Sequence, residues 1–224
     1  MAMVTAAGKG SGLGFAVAEA FAQAGWDLVL TGRNKGRLNS AAQELQAAYG
    51  VQVLALQLEL GLDGGEAAAQ AAVDAAVERF GRIDALVNAS QAAKVGDTLE
   101  RCKPADLALA LDSGVVAAFL LMRACYPQLR QHGGTVINLT SAAAAAGQPG
   151  LAVLAASKEG LRGMSRVAAA EWEPQGVRVL CLDPQVRTAA YTAWAKEYPQ
   201  AANQAALQLE DPSTFAHHCV TLCG

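Results

Sequence analysis

The sequence predicts an α/β fold, a parallel sheet wound in both directions from its middle, on three observations. Short apolar runs near 2–7, 26–31, 51–56, 83–88, 135–140 and 177–182 alternate with longer amphipathic stretches. The spacing between runs leaves room for a helical crossover each time, which implies parallel strands covered on both faces. A glycine-rich turn, Gly8-Lys9-Gly10-Ser11-Gly12-Leu13-Gly14, follows the first run and leads directly into an alanine-rich helix-forming stretch.

Each element has a local reason. The stretch 15–24 is amphipathic at helical spacing, and 26–31 reads as a buried strand. A helix over about 34–48 ends at Gly50, and the third strand spans 51–56. Glycines at 61, 64 and 65 break the chain before a helix over 66–80. A long helix over about 104–131 carries Pro104 in its first turn, where a missing amide costs nothing. Gly133-Gly134 turns into the fifth strand, and a loop holding Gly147, Pro149 and Gly150 leads to a helix over 151–173. After the sixth strand the chain is polar and helical. No repeat, linker or composition break divides it, so residues 1–224 are expected to form one domain. Crossovers are expected to be right-handed. Ligands of such sheets bind beyond the carboxyl ends of the strands, where the winding reverses. The glycine turn, Gly32-Arg33, Asn88, Ser141 and Pro184 all fall on that edge.

Composition narrows the classes. At 224 residues and 23.0 kDa the chain can bury a sizeable core. A hydrophobic content of 53% and a mean hydropathy of +0.22 reflect alanine-rich helices. No uninterrupted apolar run reaches the ~18 residues of a membrane span. A basic region followed by an apolar core is missing at the N-terminus, so no signal peptide is expected. A net charge of -3 and a pI near 5.6 argue against nucleic-acid and anionic-membrane surfaces. Cys102, Cys125, Cys181, Cys219 and Cys223 show no paired spacing, which fits reduced thiols and a cytoplasmic location. His217-His218-Cys219 with Cys223 reads as a helix end rather than a metal site, and no metal is expected.

Strand, glycine turn and helix together make an anion site plausible: amides at the helix N-terminus point into the turn and the helix dipole favours negative charge there. The turn alone serves equally as a pyrophosphate cradle or as an ordinary strand-to-helix connection. Six pieces in order then resemble the short-chain dehydrogenase/reductase family. They are Gly8-x3-Gly12-x-Gly14, the helix from Phe15 to Ala22, Phe80-Gly81-Arg82-Ile83-Asp84-Ala85-Leu86-Val87-Asn88, Val136-Ile137-Asn138-Leu139-Thr140-Ser141, Ala155-Ala156-Ser157-Lys158, and Asp183-Pro184-x3-Thr188. The resemblance implies a Rossmann-like doubly wound sheet of six or seven strands. It implies a nicotinamide dinucleotide on Gly8, Lys9, Ser11, Gly12, Leu13 and Gly14, with Glu59, Asn88, Lys158, Pro184 and Thr188 as further contacts. The family's threonine before the first glycine falls on Ala7; Thr5 serves only in a register shifted by two, which puts Ala6 at the first glycine. An arginine at the end of the second strand, here Arg33, meets the extra phosphate of NADP in this family where NAD binders carry an acid. Arg33 and Lys9 therefore favour NADP(H) over NAD(H).

The catalytic face departs from the pattern. The resemblance implies hydride transfer between nicotinamide and a carbonyl or alcohol, with a tyrosine as proton donor, a lysine beneath it, a serine on the substrate oxygen and an asparagine in the relay. Lys158 and Ser141 are present, Ser141 serving equally as a substrate donor or a strand-end cap. The tyrosine position is Leu154, the asparagine position is Gly114, the Asn-Asn-Ala-Gly element reads Asn88-Ala89-Ser90-Gln91, and Gln185 follows Pro184. Leucine has no titratable group. The sequence thus points to an oxidoreductase with an altered proton relay, or to a non-catalytic cofactor-binding or structural subunit partnering an active relative. Tyr191 is the nearest other hydroxyl in kind. Residues 188–211 are expected to cover the substrate, with Tyr191, Trp194 and Tyr198 as an aromatic wall or as packing on the body. The helices over 104–131 and 151–173 are those through which the family associates, which implies a homodimer, a homotetramer or a hetero-oligomer.

Overall fold

A strand buried on both faces needs helices on both sides of its sheet; the central strands meet that condition, while the two edge strands are partly buried, with Gln57 and Arg178 exposed. The computed structural model describes residues 1–10, 12–206 and 209–224. Its strands are β1 (Ala2–Thr5), β2 (Leu28–Gly32), β3 (Val53–Gln57), β4 (Ala85–Asn88), β5 (Gly134–Leu139) and β6 (Val177–Leu182). They pair in parallel in the order β3-β2-β1-β4-β5-β6. The helices are α1 (Leu13–Gln23), α2 (Lys35–Tyr49), α3 (Gly65–Phe80), α4 (Pro104–Leu111), α5 (Ala117–His132), α6 (Ala142–Ala145), α7 (Ala152–Trp172), α8 (Ala189–Glu197), α9 (Pro199–Ala206) and α10 (Pro212–Thr221).

Alternation along the strands divides the core into two layers. Val4, Leu28, Leu30, Val87 and Ile137 pack with Val17, Phe21, Leu38 and Leu45 of α1 and α2, and with Phe215 and Cys219 of α10. Their neighbours Met3, Val29, Leu86 and Val136 face the other way, onto Val73, Leu121, Cys125 and Leu129 of α3 and α5. The long run Pro104–His132 has the length and hydropathy of a membrane span by composition alone. In this fold it is a core helix, with Leu120, Leu121, Met122, Cys125 and Leu129 buried.

The expected elements form, with three differences. The sheet has six strands among the described residues, one of the two expected counts, and α10 packs on α1. Strand β2 starts at Leu28 because Trp26 turns onto Phe21, ring centroids 5.2 Å apart and nearly perpendicular. The expected helix over 104–131 runs on as Pro104–His132, with a π turn over Asp112–Val116 between its segments α4 and α5. The loop after β5 holds the short helix α6, capped by Ser141.

One glycine sets the spacing between α1 and the sheet. A Cβ on Gly14 would sit 2.5 Å from Ala6 O and 2.7 Å from Thr5 O, both main-chain atoms that cannot swing aside. Gly14→Ala should therefore destabilise the fold by about 1–3 kcal/mol, the cost typical of overpacking a tight contact. Gly163, inside α7 with nothing within 4 Å of its virtual Cβ, is the control. Gly163→Ala should stabilise by about 0.5–1 kcal/mol. Urea unfolding of the two variants should move in opposite directions from the parent.

Candidate active site and cofactor cleft

From β1 the chain winds out to β3 on one side, and from β4 it winds out to β6 on the other, so the reversal lies between β1 and β4. Thr5 closes that seam. Its Oγ1 accepts hydrogen bonds from the amides of Ala89 and Ser90 at 2.8 and 3.0 Å. The strand-end hydroxyl is thus Thr5, two residues before the Ala7 position expected to hold it. Ala6 follows in the left-handed region at φ 53, a conformation that favours glycine. Yet Gly12-Leu13-Gly14 still forms the start of α1, with Gly12 at its N-cap and φ 89. Residues between Thr5 and Gly12 therefore make a longer turn than either expected register allowed. Ser11 lies outside the described residues. Leu13 packs onto the first core layer.

The turn leans on α2. Lys9 N donates to Arg37 O at 3.1 Å, and Lys9 Nζ forms an ion pair with Glu44 at 2.6 Å. The Lys9 charge is thereby matched by a carboxylate. Arg33 and Arg37 differ: both are exposed, both line the cleft beyond β1 and β2, and neither is in an ion pair among the described residues. Arg37 was not foreseen from the sequence. Its four-residue spacing from Arg33 was the available signal, and Asn34 fixes the geometry by accepting from Arg37 N at 2.9 Å.

The cleft has a volume of about 970 Å³. Gly8, Arg33, Glu59, Asn88 and Gly114 of the expected site line it, together with Thr31, Ser90 and Gln91. Gly12, Gly14, Ser141, Leu154, Lys158, Pro184 and Thr188 lie outside that lining. Asn88 is held from behind: its Nδ2 donates to Asn138 Oδ1 at 2.8 Å, and Asn138 Nδ2 donates to Ser165 Oγ at 2.8 Å. This buried ladder ties β4 to β5 and α7. The open left-handed turn at Gly12, the close seat of Gly14 and two unpaired guanidinium groups over the cleft fit a dinucleotide phosphate chain.

Gln91 fills the place where a side chain at Gly114 would go. A Cβ on Gly114 would fall inside contact distance of both Gln91 Oε1 and Ser157 Oγ. Gln91 Nε2 donates to Ala110 O at 3.0 Å, and Ser157 Oγ donates to Gln91 Oε1 at 3.2 Å. Ser113 completes the clasp: its Oγ accepts from Ala92 N at 2.8 Å and donates to Leu109 O at 2.6 Å. The connection after β4, the π turn and α7 are thus joined through polar side chains that the sequence pattern did not single out.

On the catalytic edge Lys158 is 6% exposed and its Nζ donates to Leu139 O at 2.6 Å. Burial pushes its ammonium down to about 8, with Asp183 and then Cys181 opposing that shift. Ser141 Oγ accepts from Ala144 N at 3.3 Å, so it serves as the cap of α6. Thr188 Oγ1 accepts from Tyr191 N at 3.0 Å and caps α8. Leu154, one turn before Lys158 on α7, packs against the buried cluster of Leu151, Trp194 and Ala202, as do Val95, Tyr191 and Tyr198. Trp194 is buried and its Nε1 donates to Pro149 O at 2.8 Å. Tyr191 OH donates to Ala202 O at 2.8 Å, which places its proton on the helical cover itself. The three rings contact one another, with centroids 6.0 Å apart for Tyr191–Trp194 and 6.2 Å apart for Trp194–Tyr198, and Trp194 ties them to the loop before α7.

A doubly wound parallel sheet with a glycine turn and a cleft at its switch point defines a dinucleotide-binding class. Residues 1–199 match the family model of the short chain dehydrogenases. The 12alpha-hydroxysteroid dehydrogenase of a Clostridium species is 40% identical over 202 residues, 90% of this chain and 78% of that protein. Rat peroxisomal 2,4-dienoyl-CoA reductase is 34% identical over 183 residues, and the match spans 79% of this chain but 60% of the rat enzyme. Among solved structures, L-sorbose reductase of Gluconobacter frateurii, complexed with NADPH and L-sorbose, superposes with a TM-score of 0.85 at 25% identity, covering 100% of this chain and 89% of that one. An NAD+-bound xylitol dehydrogenase shares the fold with a TM-score of 0.88 at 24% identity over 100% of this chain and 91% of that one. The chain belongs to the short-chain dehydrogenase family, whose members are nicotinamide-dependent oxidoreductases.

Two outcomes follow from this geometry. Gly114→Asn alone should destabilise by about 1–3 kcal/mol through overpacking. Gln91→Ala in the same chain should recover much of that loss, a coupling of about 0.5–3 kcal/mol in a double-mutant cycle. The second concerns pH. Between about 8 and the ordinary value of 10.5, the unfolded chain binds more protons at Lys158 than the folded one. Lys158 therefore makes stability rise with pH across that window, and its full penalty is present below it. The buried thiols of Cys125, Cys219 and Cys223, pushed up to about 12 by burial, act with the opposite sign above their ordinary 9.0. Urea unfolding of Lys158→Met across this range cancels the thiols in the difference: the stability of the parent relative to the variant should rise with pH.

Proposed function

We propose that this chain binds NADP(H) across the β1/β4 switch point and acts on a carbonyl or alcohol with an altered proton relay. The observation that carries the cofactor preference is the pair Arg33 and Arg37, unpaired by any carboxylate among the described residues and lining one cleft. Guanidinium forks suit a phosphate monoester, and two of them offset the loss of Lys9 to Glu44. Gly8, Gly12 and Gly14 with the start of α1 seat the pyrophosphate, Glu59 and Asn88 flank the cleft, and Lys158 holds the nicotinamide ribose. The bound nicotinamide supplies or accepts the hydride. The NADPH in the Gluconobacter structure supports this reading, while the NAD+-bound relative shows that the fold itself accepts either cofactor.

Residues 1–224 act in this reading as one cofactor-binding unit, with 188–211 as the cover. The side chains around Leu154 are apolar, which suits an uncharged apolar alcohol or ketone; the hydroxysteroid in the name of the 40% identical relative is of that kind. Leu154 in the place of tyrosine leaves α7 without a proton donor above Lys158. A second reading, a non-catalytic subunit, is favoured by the same apolar packing of Leu154. Exposed Leu107, Leu109, Phe119 and Val167 on α4, α5 and α7 support association through those helices, as a homodimer, a homotetramer or with an active relative.

Calorimetric titration with NADPH and NADH tests the cofactor first. NADPH should bind more tightly, and Arg33→Ala should weaken NADPH at least about tenfold while leaving NADH unchanged, as expected for one charge-assisted hydrogen-bond pair. Equal affinities would remove the NADP preference. Leu154→Tyr should raise turnover of apolar ketones by about 10²–10⁴-fold where only the proton donor is missing. NADPH binding with no gain in that variant favours the non-catalytic subunit.

A further inference from the structure

The relay residues leave one charged group on the catalytic edge without a role. Asp183 follows β6 directly, next to the end of β5, since Leu139 and Leu182 are register partners and Thr140 N donates to Leu182 O at 2.8 Å. Two donors fix one oxygen of its carboxylate: Thr140 Oγ1 and Arg162 Nη2 each approach Asp183 Oδ1 at 2.7 Å. Arg162 stands one turn after Lys158 on α7, so both cations leave the same face of that helix. Lys158 Nζ rests on Leu139 O, on the strand adjacent to the one that carries Asp183. Adjacent strands lie about 4.8 Å apart, which puts the carboxylate and the buried ammonium within reach of each other's field.

We propose that Asp183 is a positioning residue for Lys158: a carboxylate clamped by Thr140 and Arg162 at the strand end, it is the counter-charge that keeps the buried ammonium seated on Leu139 O. A buried cation needs a nearby partner of opposite sign, and the tyrosine hydroxyl expected one turn away is replaced by Leu154. Cys181, on β6, is the other ionisable group that favours the charged amine, and it ranks after Asp183. On α7 itself the charged neighbours are Arg162 and the exposed Glu159, which pairs with Arg162 at 3.1 Å. Arg162 therefore divides the Asp183 charge with Lys158. Removing Asp183 and removing Arg162 should act on the amine with opposite signs.

This inference concerns the lysine itself; its consequence for the cofactor rests on the proposed ribose contact. The test follows the ε-carbon resonance of Lys158 through a pH titration of the full chain grown with 13C-labelled lysine, assigned by its disappearance in Lys158→Met. Asp183→Asn keeps the hydrogen-bond acceptor and removes the charge; the Lys158 midpoint should fall by about one pH unit or more. Arg162→Met should raise the midpoint. A midpoint that stays put in Asp183→Asn, or moves the same way in both variants, overturns the proposal, and the Arg162→Met arm decides alone where Asp183→Asn does not fold. NADPH affinity is measured beside each titration. Weaker binding by Asp183→Asn only above its lowered midpoint supports the ribose contact as well. A lowered midpoint with unchanged NADPH affinity supports the counter-charge and overturns the ribose contact alone.

Discussion

The structure depends on the seam between β1 and β4. The winding direction reverses there, so no crossover helix covers the strand ends, and the parallel pairing of Ala2–Val4 with Ala85–Val87 is extended by one further tie. Thr5 supplies it by taking the amides of Ala89 and Ser90 on one hydroxyl oxygen. The close seat of Gly14 on the carbonyls of Ala6 and Thr5 brings α1 down onto the same point. A cleft opens beside those contacts, lined by Thr5, Ala6 and Gly8 on one side and by Asn88, Ser90 and Gln91 after β4 on the other.

Electrostatics then sort the residues around the cleft. Lys9 sits in the glycine turn, where the sequence sets it beside Arg33 as a second positive charge, yet its ammonium meets Glu44. Arg37, which carries no motif, stands with Arg33 over the cleft. A charge already matched by a carboxylate offers less to an incoming anion than one that is still solvated. The same logic governs the far end of the site. Lys158 is buried, and burial pushes its ammonium down to about 8 while Asp183 works against that shift.

The sheet, its order and its helices were legible in the sequence because they rest on local periodicity and on glycines that punctuate it. Gly50 ends α2 in the left-handed conformation, as its position implied. Contacts that close through space were not legible. Gln91 and Gly114 are 23 positions apart, and only the fold shows that one fills the room the other lacks. The π turn at Asp112–Val116 leaves no mark in hydrophobic spacing. Thr5 was set aside because counting from the glycines favours Ala7; the longer turn before Gly12 breaks that count. The clamp of Asp183 by Arg162 and Thr140 joins three elements and has no sequence signature at all.

The cleft and the apolar surroundings of Leu154 are built from different elements. The cleft is lined from β1, β2, the glycine turn, the segment after β3, the connection after β4 and the π turn, with Arg33 and Arg37 exposed on it. Around Leu154, where α7 meets the helical cover, the packing is apolar. Leu154 packs against the cluster of Leu151, Trp194 and Ala202, and a hydroxyl in the same place would need a partner to offset its desolvation. The Tyr191 hydroxyl proton is engaged by Ala202 O inside the cover. That is why placing a tyrosine at 154 tests more than acidity: the cover must also release the space the ring needs.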